Sequence, residues 1–203
     1  MWQLGKIGSG TAAAVSVALM IAGPALPASA DTVAGGANNV VQVSATQGMP
    51  PMSAAHLSVA FDPGGTVANQ NEAFASSSSC VGCVASAAAV QIVVVEGSPK
   101  TFVPHNAAVA ANFNCTGCTT FAYAYQDVIQ VPGTATLSGD AWEHLRSIAQ
   151  SMRQVTASTA TPAAKDAQLG ALSAAAAATV QNGLSYPAQA QKTDAVAQDA
   201  QST

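Results

Sequence analysis

Charge is what this chain has least of. Only 8% of its 203 residues are charged, six basic against ten acidic. That scarcity excludes the electrostatic footprint of a nucleic-acid binder and the polybasic patch that holds a protein to anionic lipid. Catalytic motifs are missing too. There is no His-Glu-x-x-His, no Gly-x-Ser-x-Gly elbow and no phosphate-binding loop. His56, His105 and His144 are scattered with no partner at a defined spacing, and Trp142-Glu143-His144 contains Glu-His without the zinc-protease frame. Asp62-Pro63-Gly64-Gly65 is a turn signal. No catalytic carboxylate pair is marked, so the chain reads as a non-enzyme with no required cofactor. A low-charge surface rich in Ala, Ser, Thr, Asn and Gln suits a packed, repetitive structure.

What is there begins with an address. Lys6 gives residues 1–30 a small positive start, Thr11 to Ala22 is an apolar stretch, and Ala28-Ser29-Ala30 is the small-x-small pattern cut by signal peptidase. The apolar stretch is shorter than the ~20 residues of a membrane span. No cysteine follows it for a lipid anchor, and no twin arginine precedes it. The expectation is export by the general secretory route, cleavage between Ala30 and Asp31, no transmembrane span in the mature chain, and a secreted or cell-surface location.

The middle of the chain repeats. With an offset of 35, residues 71–93 overlay 106–128 without a gap. Asn71, Ala73 and Ala75 fall on Asn106, Ala108 and Ala110. Cys80, Gly82 and Cys83 fall on Cys115, Gly117 and Cys118. Ala87, Ala89, Gln91 and Val93 fall on Ala122, Ala124, Gln126 and Val128. Shared residues on either side of the cysteines come at every second position, the period that puts them on one face of a strand. Each copy therefore reads as a strand, a Cys-x-Gly-Cys turn and a longer strand. The shared face carries small side chains and is expected to be core, with a stacking face for another molecule as the alternative. The run Gln91–Val95 is uncharged and β-branched, the composition of an aggregation-prone strand. In a monomer it must be central and covered. A fainter echo sets VVQVSATQGMP at 40–50 against AVQIVVVEGSP at 89–99, without cysteines.

After Pro132-Gly133 the period changes. Asp140 with Glu143 three residues on fits a capping box. Trp142, Leu145, Ile148, Ala149, Met152 and Val155 recur at helical spacing, which predicts an amphipathic helix over 140–156 packed on the sheet. A second, alanine-rich helix is predicted over 163–181, ended by Asn182-Gly183. The organisation is then a signal peptide (1–30), an N-terminal segment with a degenerate repeat (31–68), the tandem repeat (69–133), a helical region (138–183) and a disordered tail (184–203). The fold class is mainly β, a tandem repeat of sandwich or solenoid type, with C-terminal α-helices.

Cys80, Cys83, Cys115 and Cys118 are the candidate site. Haem attachment needs a histidine after the second cysteine, and Val84 and Thr119 stand there. A thioredoxin-like motif sits at a helix start, whereas here a β-branched run follows. Four thiolates from two Cys-x-x-Cys knuckles can hold a tetrahedral zinc, although the 31 residues between the pairs exceed the usual spacing of roughly 15–20. An even cysteine count in an exported chain favours disulfides. A four-residue loop contributes about 2 kcal/mol and the longer cross-copy loop about 4 kcal/mol. The glycine inside each motif, however, lets the chain turn so that the local sulfurs converge. The expectation is Cys80–Cys83 and Cys115–Cys118, with a four-cysteine zinc or thiol-redox module as the alternative.

The duplicated Asn-x-Ala-x-Ala, Cys-x-x-Cys, Ala-x-Ala-x-Gln frame over 71–131 resembles a repeat region in exported and membrane-attached proteins of actinobacteria, some of which are labelled zinc peptidases. The resemblance implies a surface-exposed accessory region. The peptidase zinc motif is missing here, so that activity does not carry over. Asn38-Asn39-Val40-Val41-Gln42-Val43 resembles the amyloid-forming chaplins of the same bacteria, which implies self-association. The expected role is a structural or interaction protein of the cell envelope with a protein or cell-surface partner, and a self-assembling surface protein as the further alternative.

Overall fold

The structure, a computed structural model, describes residues 38–186 and the backbone of 193–202. The predicted export signal lies outside the described residues. From Asn38 the chain winds through three coils of a parallel β-solenoid. Coil one is β1 (Asn38–Thr46), β2 (Met52–Asp62) and β3 (Thr66–Val67). Coil two is β4 (Gln70–Val81), β5 (Val84–Glu96) and β6 (Thr101–Phe102). Coil three is β7 (His105–Thr116) and β8 (Thr119–Val131). Equivalent strands stack in parallel, with β1-β4-β7 as a first sheet, β2-β5-β8 as a second and β3-β6 as a short third. The mainly-β repeat with C-terminal helices is therefore the fold, in its solenoid form.

The 35-residue repeat is one coil. Asn71 pairs with Asn106, Cys80 with Cys115 and Gln91 with Gln126. Coil one follows a different offset from the one the sequence echo suggested. Val41 stands beside Ala73 and Gln42 beside Phe74, so residues 40–43 stack on β4 of the first sheet and not on 89–92 of the second. Val41 and Val43 fill inward positions held by alanines in the next coil. That substitution hid the true register.

The shared small face turns inward, as the core reading expected. Ala73 and Ala75 of the first sheet meet Ala85, Ala87, Ala89, Ala122 and Ala124 of the second in one buried cluster with Cys80 and Cys83. Short side chains on both faces let the two sheets approach closely. The opposite face of the second sheet is buried as well. Val90, Ile92, Val94, Tyr123 and Ile129 lie under helices α1 (Gly139–Ala157) and α2 (Pro162–Gly183). With both faces covered, β5 is buried along almost its whole length, which is why it reads as a continuous apolar run. Gln91–Val95 is central, between β2 and β8, as expected of a monomer. Val93 itself does not face the helices. It packs with Val67, Val95 and Val128 in a separate corner cluster.

Helix α1 presents the predicted stripe, with Leu145, Ile148, Ala149 and Met152 buried and Trp142 and Val155 partly so. Its N-cap is Ser138 and not Asp140. The Ser138 hydroxyl accepts from the Ala141 N–H at 3.2 Å. Asp140 instead lies in the first turn, where a carboxylate suits the helix dipole. Helix α2 is N-capped by Thr161, and Tyr123 on β8 donates to its Ser173 at 3.1 Å.

The tail also departs from expectation. Thr136–Leu137 (β9) continues the period of Thr66 and Thr101 but leaves the stack to pair with Leu184–Ser185 (β10). Thr193–Ser202 (β11) lies antiparallel on β8. Composition predicted disorder from residue 184, yet an open edge of a parallel sheet offers a row of backbone donors and acceptors to any extended segment within reach.

Lys165 was invisible in the sequence. It is 4% exposed, and its ammonium donates to Ser86 Oγ at 3.0 Å and to the Thr156 carbonyl at 2.8 Å in the last turn of α1. It also stands 5.8 Å from the centre of the Phe121 ring. Desolvation lowers its pKa from the ordinary 10.5. The folded chain thus sheds this proton at lower pH than the unfolded chain. Between those two values the unfolded state binds more protons, so this lysine makes stability rise with pH. In thermal melts over the alkaline range up to 10.5, the wild type is expected to gain on Lys165→Met as pH increases. Parallel curves would show that the lysine titrates alike in both states.

Candidate functional site: the stacked cysteine turns

The cysteines lie where the first sheet turns into the second. Before each motif the inward alternation slips by one residue. Asn71, Ala73, Ala75 and Ser77 are buried, and then Cys80. The slip is a residue in the left-handed region, Ser79 at φ 51° and Asn114 at φ 50° one coil later. Asparagine tolerates this conformation better than most side chains. The signal was present in the sequence as the odd spacing between Ala75 and Cys80. Gly82 and Gly117, at φ 66° and 64°, then close each turn, as the glycine spacing predicted.

The turns are hydrogen-bonded to each other. Gly82 N–H donates to the Thr116 carbonyl at 2.9 Å, and Thr119 N–H to the Cys83 carbonyl at 2.8 Å. Within each turn the sulfurs stand at disulfide distance, 2.20 Å for Cys80–Cys83 and 2.29 Å for Cys115–Cys118. The Cα separations of 6.1 and 5.8 Å lie in the usual range for a disulfide. Stacking brings the pairs into contact. Cys80 Sγ is 3.3 Å from Cys115 Sγ and 3.7 Å from Cys118 Sγ. Cys80, Cys115 and Cys118 form the one cluster of three metal-capable ligands found among the described residues. Cys80 and Cys83 are buried, at 4% and 6% exposure, while Cys115 and Cys118 are half-buried.

The histidines do not join them. His56 Nδ1 meets Asn39 Oδ1 at 2.6 Å, His105 Nε2 is 3.4 Å from Glu72, and His144 Nδ1 is 3.3 Å from Thr179 Oγ1. They sit on β2, β7 and α1.

A second polar device escaped the sequence reading. Asn39, Asn71 and Asn106 form a ladder across the first sheet. Asn39 Nδ2 donates to Asn71 Oδ1 at 2.8 Å, and Asn71 Nδ2 to Asn106 Oδ1 at 2.7 Å. Each also donates to a carbonyl of the second sheet: Asn39 to Val90, Asn71 to Ala89 and Tyr125, and Asn106 to Ala124. Asn71 and Asn106 are equivalent positions of the 35-residue repeat. Asn39 was hidden by the altered offset of coil one.

No family model, curated protein or solved structure matches the chain.

Proposed function

We propose that the chain is an exported, non-enzymatic structural or interaction protein of the cell envelope, built on a β-solenoid whose coils are clasped by disulfides. The observation that carries this reading is the pairing within each turn, repeated one coil apart. Paired cysteines belong to an oxidising compartment, and the Ala28-Ser29-Ala30 site supplies the route. The partner is a protein or another component of the cell surface.

Intact mass of the secreted protein, before and after reduction, tests it. The expected chain begins at Asp31 and gains about 4 Da on reduction, two hydrogens per disulfide. A product retaining Met1 in the membrane would end the secreted reading.

A second reading uses the same cysteines as zinc ligands. It is favoured by the sulfur separations of 3.3 and 3.7 Å from Cys80, close to the edge of roughly 3.8 Å in a tetrahedron of thiolates at 2.3 Å from zinc. One zinc per chain with four free thiols in the secreted protein would establish it. The self-assembly reading cannot use Gln91–Val95 while the chain is folded, because that run is the central strand.

A further inference from the structure

Cys80 is the hub of the sulfur cluster. It is bonded to Cys83 and stands in contact with both sulfurs of the next clasp. It is also the in-register neighbour of Cys115. Neighbouring strands lie about 4.8 Å apart, inside the Cα range that a disulfide spans. We propose that the stacked turns are a thiol–disulfide exchange site, in which reduction of the outer clasp by a small dithiol moves the remaining disulfide from within a coil to between coils, as Cys80–Cys115.

The chemistry balances in two steps. The dithiol attacks the half-buried Cys115–Cys118 bond and leaves as its own cyclic disulfide. It delivers two electrons and two protons, so Cys115 and Cys118 become thiols. The Cys115 thiolate then attacks Cys80 Sγ. The Cys80–Cys115 bond forms, the Cys80–Cys83 bond breaks, and its electron pair leaves on Cys83, which takes the proton that Cys115 gave up. The second step has no net redox change.

Two observations select Cys115 as the attacking sulfur. It is nearer to Cys80 than Cys118 is. The Cys118 sulfur stands against the carbonyls of Cys80 and Thr116, at 3.5 and 3.8 Å, which would accept its S–H once the outer clasp is open. The fold supplies the closure. The two turns are already stacked and hydrogen-bonded to each other, so in the folded chain a bond between coils forms with no added loop-closure cost.

The proposal rests on the disulfide reading, and the experiment separates the two. The oxidised full chain is treated with one equivalent of dithiothreitol at pH 8, quenched with acid, labelled with a maleimide and mapped. The two-electron-reduced protein is expected to carry label on Cys83 and Cys118, with Cys80 linked to Cys115. Label on Cys115 and Cys118 with Cys80–Cys83 intact overturns the exchange and leaves the clasps standing. Direct passage to four labelled cysteines overturns it as well. Four thiols before any reductant is added would instead sink the clasp reading. As an independent arm, the Cys83→Ser/Cys118→Ser chain is expected to oxidise in air to a monomeric Cys80–Cys115 disulfide. A folded chain that keeps both thiols free counts against the proposal.

Discussion

Val93→Lys is expected to abolish folding. Val93 is fully buried in the corner cluster with Val67, Val95 and Val128, and in the second sheet it sits between Ala60 and Val128. The cluster is four valines, none of whose side chains can accept a hydrogen bond from an ammonium. An ammonium there loses its hydration without gaining a partner. An uncompensated buried charge costs about 3–5 kcal/mol or more, and overpacking of the corner adds to it. Total stability is only about 5–15 kcal/mol, so the variant should be missing from the medium or lack a cooperative melt. Val109→Lys is the control. Val109 is 46% exposed on β7, and its variant should be secreted and melt within a few degrees of the wild type. A folded, soluble Val93→Lys chain would mean that β5 is not the central strand of the working protein.

That placement of β5 was legible because the code for it is local. A strand buried on both faces has to be apolar at every position, and Val84–Glu96 nearly is. The period of two and the 35-residue repeat were legible for the same reason, since every coil solves the same packing problem with the same residues. Coil one was misaligned because its inward positions are valines where later coils have alanines, and because its turn, Thr46–Pro50, has no cysteine. Packing between sheets constrains volume and polarity, not identity, so the register survived while the letters changed. β11 was illegible in principle. Nothing in a polar, alanine-rich tail announces that a distant strand edge is open to it.

At the site, the local pairing of cysteines followed from chain geometry, and the structure has both pairs at bonding distance. Contact between the pairs did not follow from either motif alone. It arises because the coils stack in register, which puts Cys115 beside Cys80. The sequence offered zinc and disulfide as exclusive choices. The geometry instead puts Cys80 against both sulfurs of the next pair, so the two motifs meet in one cluster of Cys80, Cys115 and Cys118. Lys165 and the asparagine ladder were missed for a related reason. Each is a polar group whose set of partners reaches across the chain, as far as 79 residues for Lys165 and 54 for Asn71, and no short window contains such a set.

The ladder carries the second large effect. Asn71→Asp keeps the shape of the side chain and removes its N–H donors. At 0% exposure, the new carboxylate would face the carbonyls of Ala89 and Tyr125 and the Oδ1 of Asn106, three oxygens that share the two Nδ2 hydrogens of Asn71 in the wild type. Only the Asn39 amide would still donate to it. Losing the donor bonds of Asn71 costs about 1–3 kcal/mol, and the charge adds desolvation beside these oxygens, so a loss of about 3–5 kcal/mol is expected at neutral pH. Protonation returns one donor. The folded variant should therefore hold its proton above the ordinary aspartate value of about 3.9. A raised folded-state pKa gives stability that is full below the unfolded value and lost as pH climbs through the folded one. Urea unfolding of Asn71→Asp should accordingly show a much smaller deficit at pH 4 than at pH 7. Asn38→Asp is the comparison. Asn38 Oδ1 accepts from the exposed Gln70 N–H at 3.0 Å, a bond that aspartate keeps, so its cost should stay within about 0.5 kcal/mol at either pH. Equal, pH-independent losses in the two variants would remove the ladder from the forces that hold the first sheet against the second.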